Sequence, residues 1–194
     1  MKLVAFVDLH ANMSLFKRLE AVVRKESPDY IVCAGDFTIF EQDMEHMVEK
    51  VASLGKVLLI NGNHETEEAT AVYCKKHNIT FIHGKSLDIG GITFVGWGGG
   101  GFEEKDEEFE AFVQQINTRN KIVLVTHAPV YGTEVDKMWN EHRGNKSIAE
   151  FCKKASVRVA ICGHFHENAG KHGKLGKTIV INPGPVGAVI EIEP

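Results

Sequence analysis

The sequence predicts an α/β fold: a large mixed β-sheet that splits into two packed sheets with helices outside. Three observations predict it. Continuous apolar runs alternate with helical segments through the first part of the chain, short glycine-bounded β-rich runs occupy the middle, and strand and helix signals alternate again towards the end. At 194 residues the chain is long enough for one well-buried core and short for two, so residues 1–194 are read as one domain.

The elements follow in order. "KLVAFVD" is a continuous apolar run, as expected of a strand buried on both faces, and "SLFKRLEAVVRKE" places Leu15, Leu19, Val22 and Val23 at helical spacing. "YIVCAGD" with "EQDMEHMVEKVASL", then "KVLLING" with "EEATAVYCKKH", repeat the unit. Successive βα units imply a parallel sheet with right-handed crossovers. "ITFIHG", "SLDIGG" and "ITFVGW" suit hairpins or adjacent antiparallel strands. "DEEFEAFVQQINTR" reads as a helix, "KIVLVTH" as a strand, "KSIAEFCKKA" as a helix and "VRVAICG" as a strand, with "KTIVINPG" and "GAVIEIE" as closing strands. No linker, repeat or low-complexity segment interrupts the chain.

Hydrophobic content of 43% and charged content of 25% are those of a soluble globular protein. A net charge of -4 offers no bulk attraction for nucleic acid or an anionic membrane, so neither is an expected partner. The start, "MKLVAFVDLH", is too short and polar for a signal peptide or a membrane span. Cys33, Cys74, Cys152 and Cys162 are scattered without a C-x-x-C pair, so they read as reduced thiols of a cytoplasmic protein, with Cys33 and Cys162 in strand cores.

The polar residues that follow the strands form a set. Asp8 and His10, Asp36, Asn63 and His64, His127, and His164 with His166 each stand at the C-terminal end of a strand. Loops converge there in open α/β sheets, and ligands bind there. Carboxylate, amide and imidazole donors without thiolate suit a borderline-to-hard divalent ion: Mn first, with Fe, Zn or Ni as alternatives. They are too many for one ion and fit two that share a carboxylate, clamp a phosphate and activate a water.

"DLHAN", "AGD", "NGNHE", "THAP" and "CGHFHE" also occur in the order that is characteristic of calcineurin-like metallophosphoesterases, and they span most of the chain. By that resemblance Asp8, His10, Asp36 and His166 would hold the first ion, and Asp36, Asn63, His127 and His164 the second. The resemblance implies a four-layer αββα sandwich and attack of a water held between two cations on a phosphoester. It also gives His64 the role of stabilising the phosphoryl oxygens or protonating the leaving group, held by a backbone carbonyl or Asp8. The chain departs from the protein phosphatases, which follow their second motif with an aspartate and arginine where this one reads "GDFTIF"; the exonuclease members add a capping domain for which it has no room. What remains resembles the compact phosphodiesterase branch, whose substrate would be a small phosphodiester such as a cyclic nucleotide. A phosphomonoesterase, a nucleotide pyrophosphatase and a non-catalytic scaffold are the alternatives.

Several residues receive plainer readings. Glu65 is expected to cap or start a helix. His46, His77, His83 and His172 read as surface or loop residues, and Gly98 to Gly101 as a flexible turn that lines the cleft. The segment after His127 reads as a loop over the metal rim, from which His142 and Arg143 could contact substrate.

Overall fold

The computed structural model describes residues 1–193. In chain order the elements are β1 (Lys2–Phe6), α1 (Met13–Glu26), β2 (Tyr30–Cys33), α2 (Met44–Ala52), β3 (Val57–Leu59), α3 (Glu67–Lys76), β4 (Thr80–Phe81), β5 (Lys85–Ile89), β6 (Ile92–Trp97), α4 (Glu107–Val113), β7 (Lys121–Thr126), β8 (Lys137–Met138), β9 (Glu141–His142), α5 (Lys146–Lys154), β10 (Val157–Ile161), a 3-10 turn (His166–Asn168), β11 (His172–Leu175), β12 (Thr178–Ile181) and β13 (Ala188–Glu191). One sheet runs β13-β1-β2-β3-β4, with β1 to β4 parallel and β13 antiparallel; the other runs β11-β12-β10-β7-β6-β5, parallel at its centre and antiparallel at both edges.

Alternation along the strands builds the layers. On β1, Val4 and Phe6 pack against α1 to α3, whereas Leu3 and Ala5 face the second sheet. On β7, Val123 and Val125 face the first sheet, whereas Ile122 and Leu124 pack on α4 and α5. Strands buried on both faces therefore carry the continuous apolar runs seen in the sequence. The result is the αββα sandwich. Among the described residues no helix is long and apolar enough to cross a membrane.

Side-chain caps set the helix starts. Asn12, Thr66, Asp106 and Asn145 each accept from backbone N–H groups in the first turns of α1, α3, α4 and α5.

Three local readings are corrected. "ITFIHG" does not pair with the run after it: β4 joins the first sheet parallel to β3, and only β5 and β6 form a hairpin, turned by Gly90 and Gly91 at φ 55° and 79°. Phe81 packs on the helix side of the first sheet while Ile82 lies between the sheets, so this segment is the crossing point. The helix expected over "DEEFEAFVQQINTR" stops at Val113, because Gln115 and Ile116 bond back to Phe112 and Val113 in tighter turns, and Thr118 is held by Thr93. The segment after His127 carries the β8-β9 hairpin, its turn formed by Trp139 and Asn140, both at positive φ.

Phe94 is fully buried between the sheets. Phe94→Ala is expected to cost about 3–5 kcal/mol in chemical denaturation, the range for emptying a buried phenyl site. A loss below about 1 kcal/mol would mean that the sheets close over the gap.

Candidate metal centre

Backbone bonds continue past the strand ends and bring the rim loops together. Asp8, His10 and Ala11 donate from their N–H groups to the carbonyls of Gly35, Asp36 and Phe37. The third loop packs on the second so closely that only glycine fits. A Cβ on Gly35 would lie 2.5 Å from the Gly62 nitrogen, and one on Gly62 would lie 2.0 Å from Asp36 Oδ1. Gly163 does the same for the last loop, since its Cβ would meet Val7 Cγ2 at 2.2 Å. Asp8, His10, Asp36 and His164 all adopt left-handed backbone, with φ between 45° and 68°. Such conformations cost about 1–3 kcal/mol each at non-glycine residues and cluster at functional sites.

A buried carboxylate absent from the sequence-based set locks the loops. Glu65 Oε2 accepts from the N–H groups of Asp36 (3.0 Å) and Gly62 (2.9 Å), and Oε1 accepts from Thr38 N (2.8 Å) and Thr38 Oγ1 (2.8 Å). Burial, followed by the charge of Asp36, pushes its acidity down and its pKa above the ordinary carboxylate value, against the pull of those donors. It does not cap a helix, as its sequence position suggested; Thr66 caps α3. Glu65 stands directly after the His64 motif position, and that adjacency was the one available signal.

The predicted donors converge. Asp8, His10 and His166 form one group and Asp36, His127 and His164 another, each with ligand atoms mutually within 4.8 Å; Asp36 also groups with His10 and His64. Asp36 Oδ2 lies 3.4 Å from His127 Nε2 and 3.7 Å from His10 Nε2. Asn63 Oδ1 lies 2.9 Å from both His127 Nε2 and His164 Nδ1. The Nδ1–H groups of His127 and His10 face the carbonyls of Ala34 (3.0 Å) and Thr38 (3.2 Å), which are acceptors only. That leaves each Nε2 on the side of Asp36, the arrangement in which a carbonyl orients a metal-binding histidine.

The electrostatics suit cations. Burial opposes ionisation of Asp36, yet the hydrogen bond and charge of His127 hold its pKa down at about 2. Burial opposes a proton on His127, yet the hydrogen bond and charge of Asp36, with Asp8 and the Ala34 carbonyl, raise its pKa. Burial and then the charge of His127 lower His164 to about 4, and burial lowers His10. Asp8 is raised, first by burial. Its Oδ2 is buried and lacks any partner, as is His164 Nε2, and the Nε2 atoms of His10 and His166 stand 2.9 Å apart. Two imidazole lone pairs at that separation, beside an unpaired carboxylate oxygen, need a cation or a proton between them. The set fits divalent ions, and the Asp8/His10/His166 and Asp36/His127/His164 groups, which meet where His10 Nε2 lies 3.7 Å from Asp36 Oδ2, fit a dinuclear site. All four cysteines are buried and free, and burial raises their thiol pKa values, so none offers a thiolate.

Other expectations change. Neither a carbonyl nor Asp8 holds His64: its Nδ1 is buried without a partner, and its ring stacks on Phe40 with centroids 4.1 Å apart. His142 donates from Nδ1 to the buried Asp136 (2.7 Å), and Arg143 pairs with Glu141 at the surface. Their hairpin reaches the rim through Asn168, whose Nδ2 donates to the carbonyls of Val135 and Lys137. The structure does not put either residue in contact with the His/Asp groups. His83 is not a surface residue, because its ring stacks on Phe81 and Trp97 and its Nδ1 accepts from Gly98 N at 2.7 Å. Gly98 to Gly101 is pinned rather than loose: Gly99 N donates to Asn61 O, and a Cβ on Gly101 would lie 2.6 Å from the His164 ring. His77 is half-buried beside Glu45, whereas His46 and His172 are exposed, as expected.

Comparison with known proteins agrees with this fold. The profile of the calcineurin-like phosphoesterase superfamily domain matches residues 1–193. An uncharacterized protein of Methanocaldococcus jannaschii is 34% identical over 204 aligned positions, which cover 95% of this chain and 88% of that one. The crystal structure of TT1561 of Thermus thermophilus superposes with a TM-score of 0.75 at 13% identity, covering 95% of this chain and 89% of the other. A structure described as a novel archaeal phosphodiesterase gives a TM-score of 0.56 at 18% identity, with 95% and 84% covered.

Glu65→Gln replaces one acceptor oxygen with an amide that faces backbone donors. It is expected to lower stability by about 1–3 kcal/mol, the cost of an unsatisfied buried group. Metal retention after dialysis should fall with it. Unchanged stability and metal content would remove Glu65 from its role as the tie between the loops.

Proposed function

Because the chain belongs to the calcineurin-like phosphoesterase superfamily, we propose that it is a phosphodiesterase that cleaves a small phosphodiester, a cyclic nucleotide among the candidates, at a dinuclear metal centre. Metal-dependent phosphoester hydrolysis is the general activity that the fold and the His/Asp groups support. The diesterase reading adds the absence of the aspartate and arginine that follow Gly35-Asp36 in protein phosphatases.

In this reading Asp8, His10, Asp36 and His166 hold one ion, and Asp36, Asn63, His127 and His164 hold the other. The observation that carries it is the place of Asp36, buried between the two groups with Oδ2 facing both His10 and His127. Manganese is the first candidate, with iron, zinc or nickel suited to the same oxygen and nitrogen donors. When bound, two such cations activate a water for attack on phosphorus and neutralise the phosphoryl oxygens.

The chain's own groups do the rest. Thr38 and Ala34 carbonyls fix the His10 and His127 rings, so the Nε2 atoms need no reorientation when a cation arrives. His64 stands beside the shared carboxylate, its Nε2 3.9 Å from Asp36 Oδ2, placed to give a proton to the leaving oxygen or to stabilise phosphoryl charge. The enzyme works in the cytoplasm, in keeping with four reduced and buried cysteines.

The test is hydrolysis of bis(p-nitrophenyl) phosphate beside p-nitrophenyl phosphate, on metal-stripped protein refilled with Mn, Ni, Zn or Fe. Metal-dependent cleavage that favours the diester is expected. Preference for the monoester would make the protein a phosphomonoesterase, and no cleavage with two bound ions would make it a binding scaffold. His64→Ala should lower turnover about 10²-fold or more while both ions stay bound, as for loss of an acid or a charge stabiliser. Loss of metal in that variant would instead make His64 a ligand.

A further inference from the structure

Ring contacts run across the rim. Phe40 lies face to face on His64, with 17° between the planes; His64 meets His10 at 4.6 Å, and His10 meets His166 at 4.8 Å. In the other donor group, Phe102 meets His164 edge-on at 4.4 Å, and His164 meets His127 at 5.3 Å. Each group of histidines thus ends in a phenylalanine. These two residues are 68% and 73% exposed.

A single exposed phenylalanine is ordinary. These two are held outward by particular backbone arrangements. Phe40 has φ 47°, a left-handed conformation that is an outlier for a bulky residue. The strain is maintained by its neighbours: Glu41, at φ 62°, accepts from Thr66 N and Oγ1 and donates from its own N–H to Thr38 Oγ1, and Thr38 is clamped by Glu65. Phe102 follows Gly101, whose φ of 141° and missing Cβ let the chain pass directly over the His164 ring. Folding alone would favour turning both rings inward.

We propose that Phe40, against His64, and Phe102, against His164, present aromatic surfaces that flank the metal centre and select phosphoesters that carry a planar ring. This deepens the phosphoesterase reading and rests on it. One face of Phe40 is covered by His64, and its other face is open to a ligand ring. Phe102 touches His164 at 81°, so the contact leaves ring surface free. Stacked or edge-on aromatic pairs gain beyond the area they bury, whereas alkyl groups gain by area only. The subsite therefore distinguishes planar from saturated groups of equal size.

Calorimetric binding to manganese-loaded protein tests this with orthophosphate, methylphosphonate, cyclohexylphosphonate and phenylphosphonate. The phosphonates share a head group that cannot be hydrolysed and differ only in the substituent. Phenylphosphonate should bind about 10-fold more tightly than methylphosphonate, with cyclohexylphosphonate between them. Phe40→Leu and Phe102→Leu should each cut the phenyl-to-methyl ratio by about 3- to 10-fold, and Phe40→Trp should restore it. Reading the ratio within each variant cancels any effect on His64 that all the ligands share. Equal affinity for phenyl and methyl, equal affinity for phenyl and cyclohexyl, or a ratio unmoved in both leucine variants would overturn the subsite. Binding of orthophosphate with no ring preference leaves the phosphoesterase reading intact, whereas failure of orthophosphate to bind the loaded protein removes that reading and the subsite together.

Discussion

The architecture of the rim depends on one buried carboxylate, Asp36, having a defined position between two sets of histidines. Its side chain is almost fully buried, which opposes its ionisation, yet the hydrogen bond and charge of His127, with those of His64, hold its pKa below the ordinary carboxylate value. His127 and His10 both bring Nε2 towards Oδ2, at 3.4 and 3.7 Å, and the backbone N–H of His64 donates to Oδ1 at 2.9 Å. A charge held so far from water would be costly if any of these moved, so the loops that carry them are tied to each other rather than to solvent.

Those ties are backbone and glycine. The first loop is bonded to the second, Gly62 lies against Asp36, and Glu65 collects donors from both the second and third loops. The left-handed residues of the rim are the consequence: each strand must turn sharply at its end so that its side chain points along the sheet edge and not into the packed layers. The two sheets provide the rigid base for this, with three apolar clusters that fill the spaces between layers. Conformational strain at the rim is offset by burial elsewhere.

The layers were legible in the sequence because their cause is local. A strand buried on both faces reads as an unbroken apolar run, and the helices between such strands show their own period. That Asp8, His10, Asp36, Asn63, His127, His164 and His166 gather in one place was legible for a related reason, since each follows a strand and the topology then collects them at one edge. What the sequence concealed depends on contacts between distant segments. Glu65 looked like a helix-start residue because its four donors, from Asp36, Thr38 and Gly62, lie in another loop or are backbone N–H groups. The crossing from β4 to β5 looked like a meander, because a short run of apolar residues does not say which sheet it joins. His83 and the glycines before Phe102 appeared loose for the same reason: their neighbours are spatial ones. His142 was placed near substrate by its loop, whereas the buried Asp136 holds it within the hairpin.

Metal stoichiometry tests the central claim most directly. Wild-type protein and Asp36→Asn, each dialysed against manganese and then metal-free buffer, would be measured by elemental analysis against protein concentration. The account predicts two ions per chain in the wild type and a loss from both sites in the variant, since one shared charge serves both. A single ion in the wild type, or two ions retained by Asp36→Asn, would contradict it.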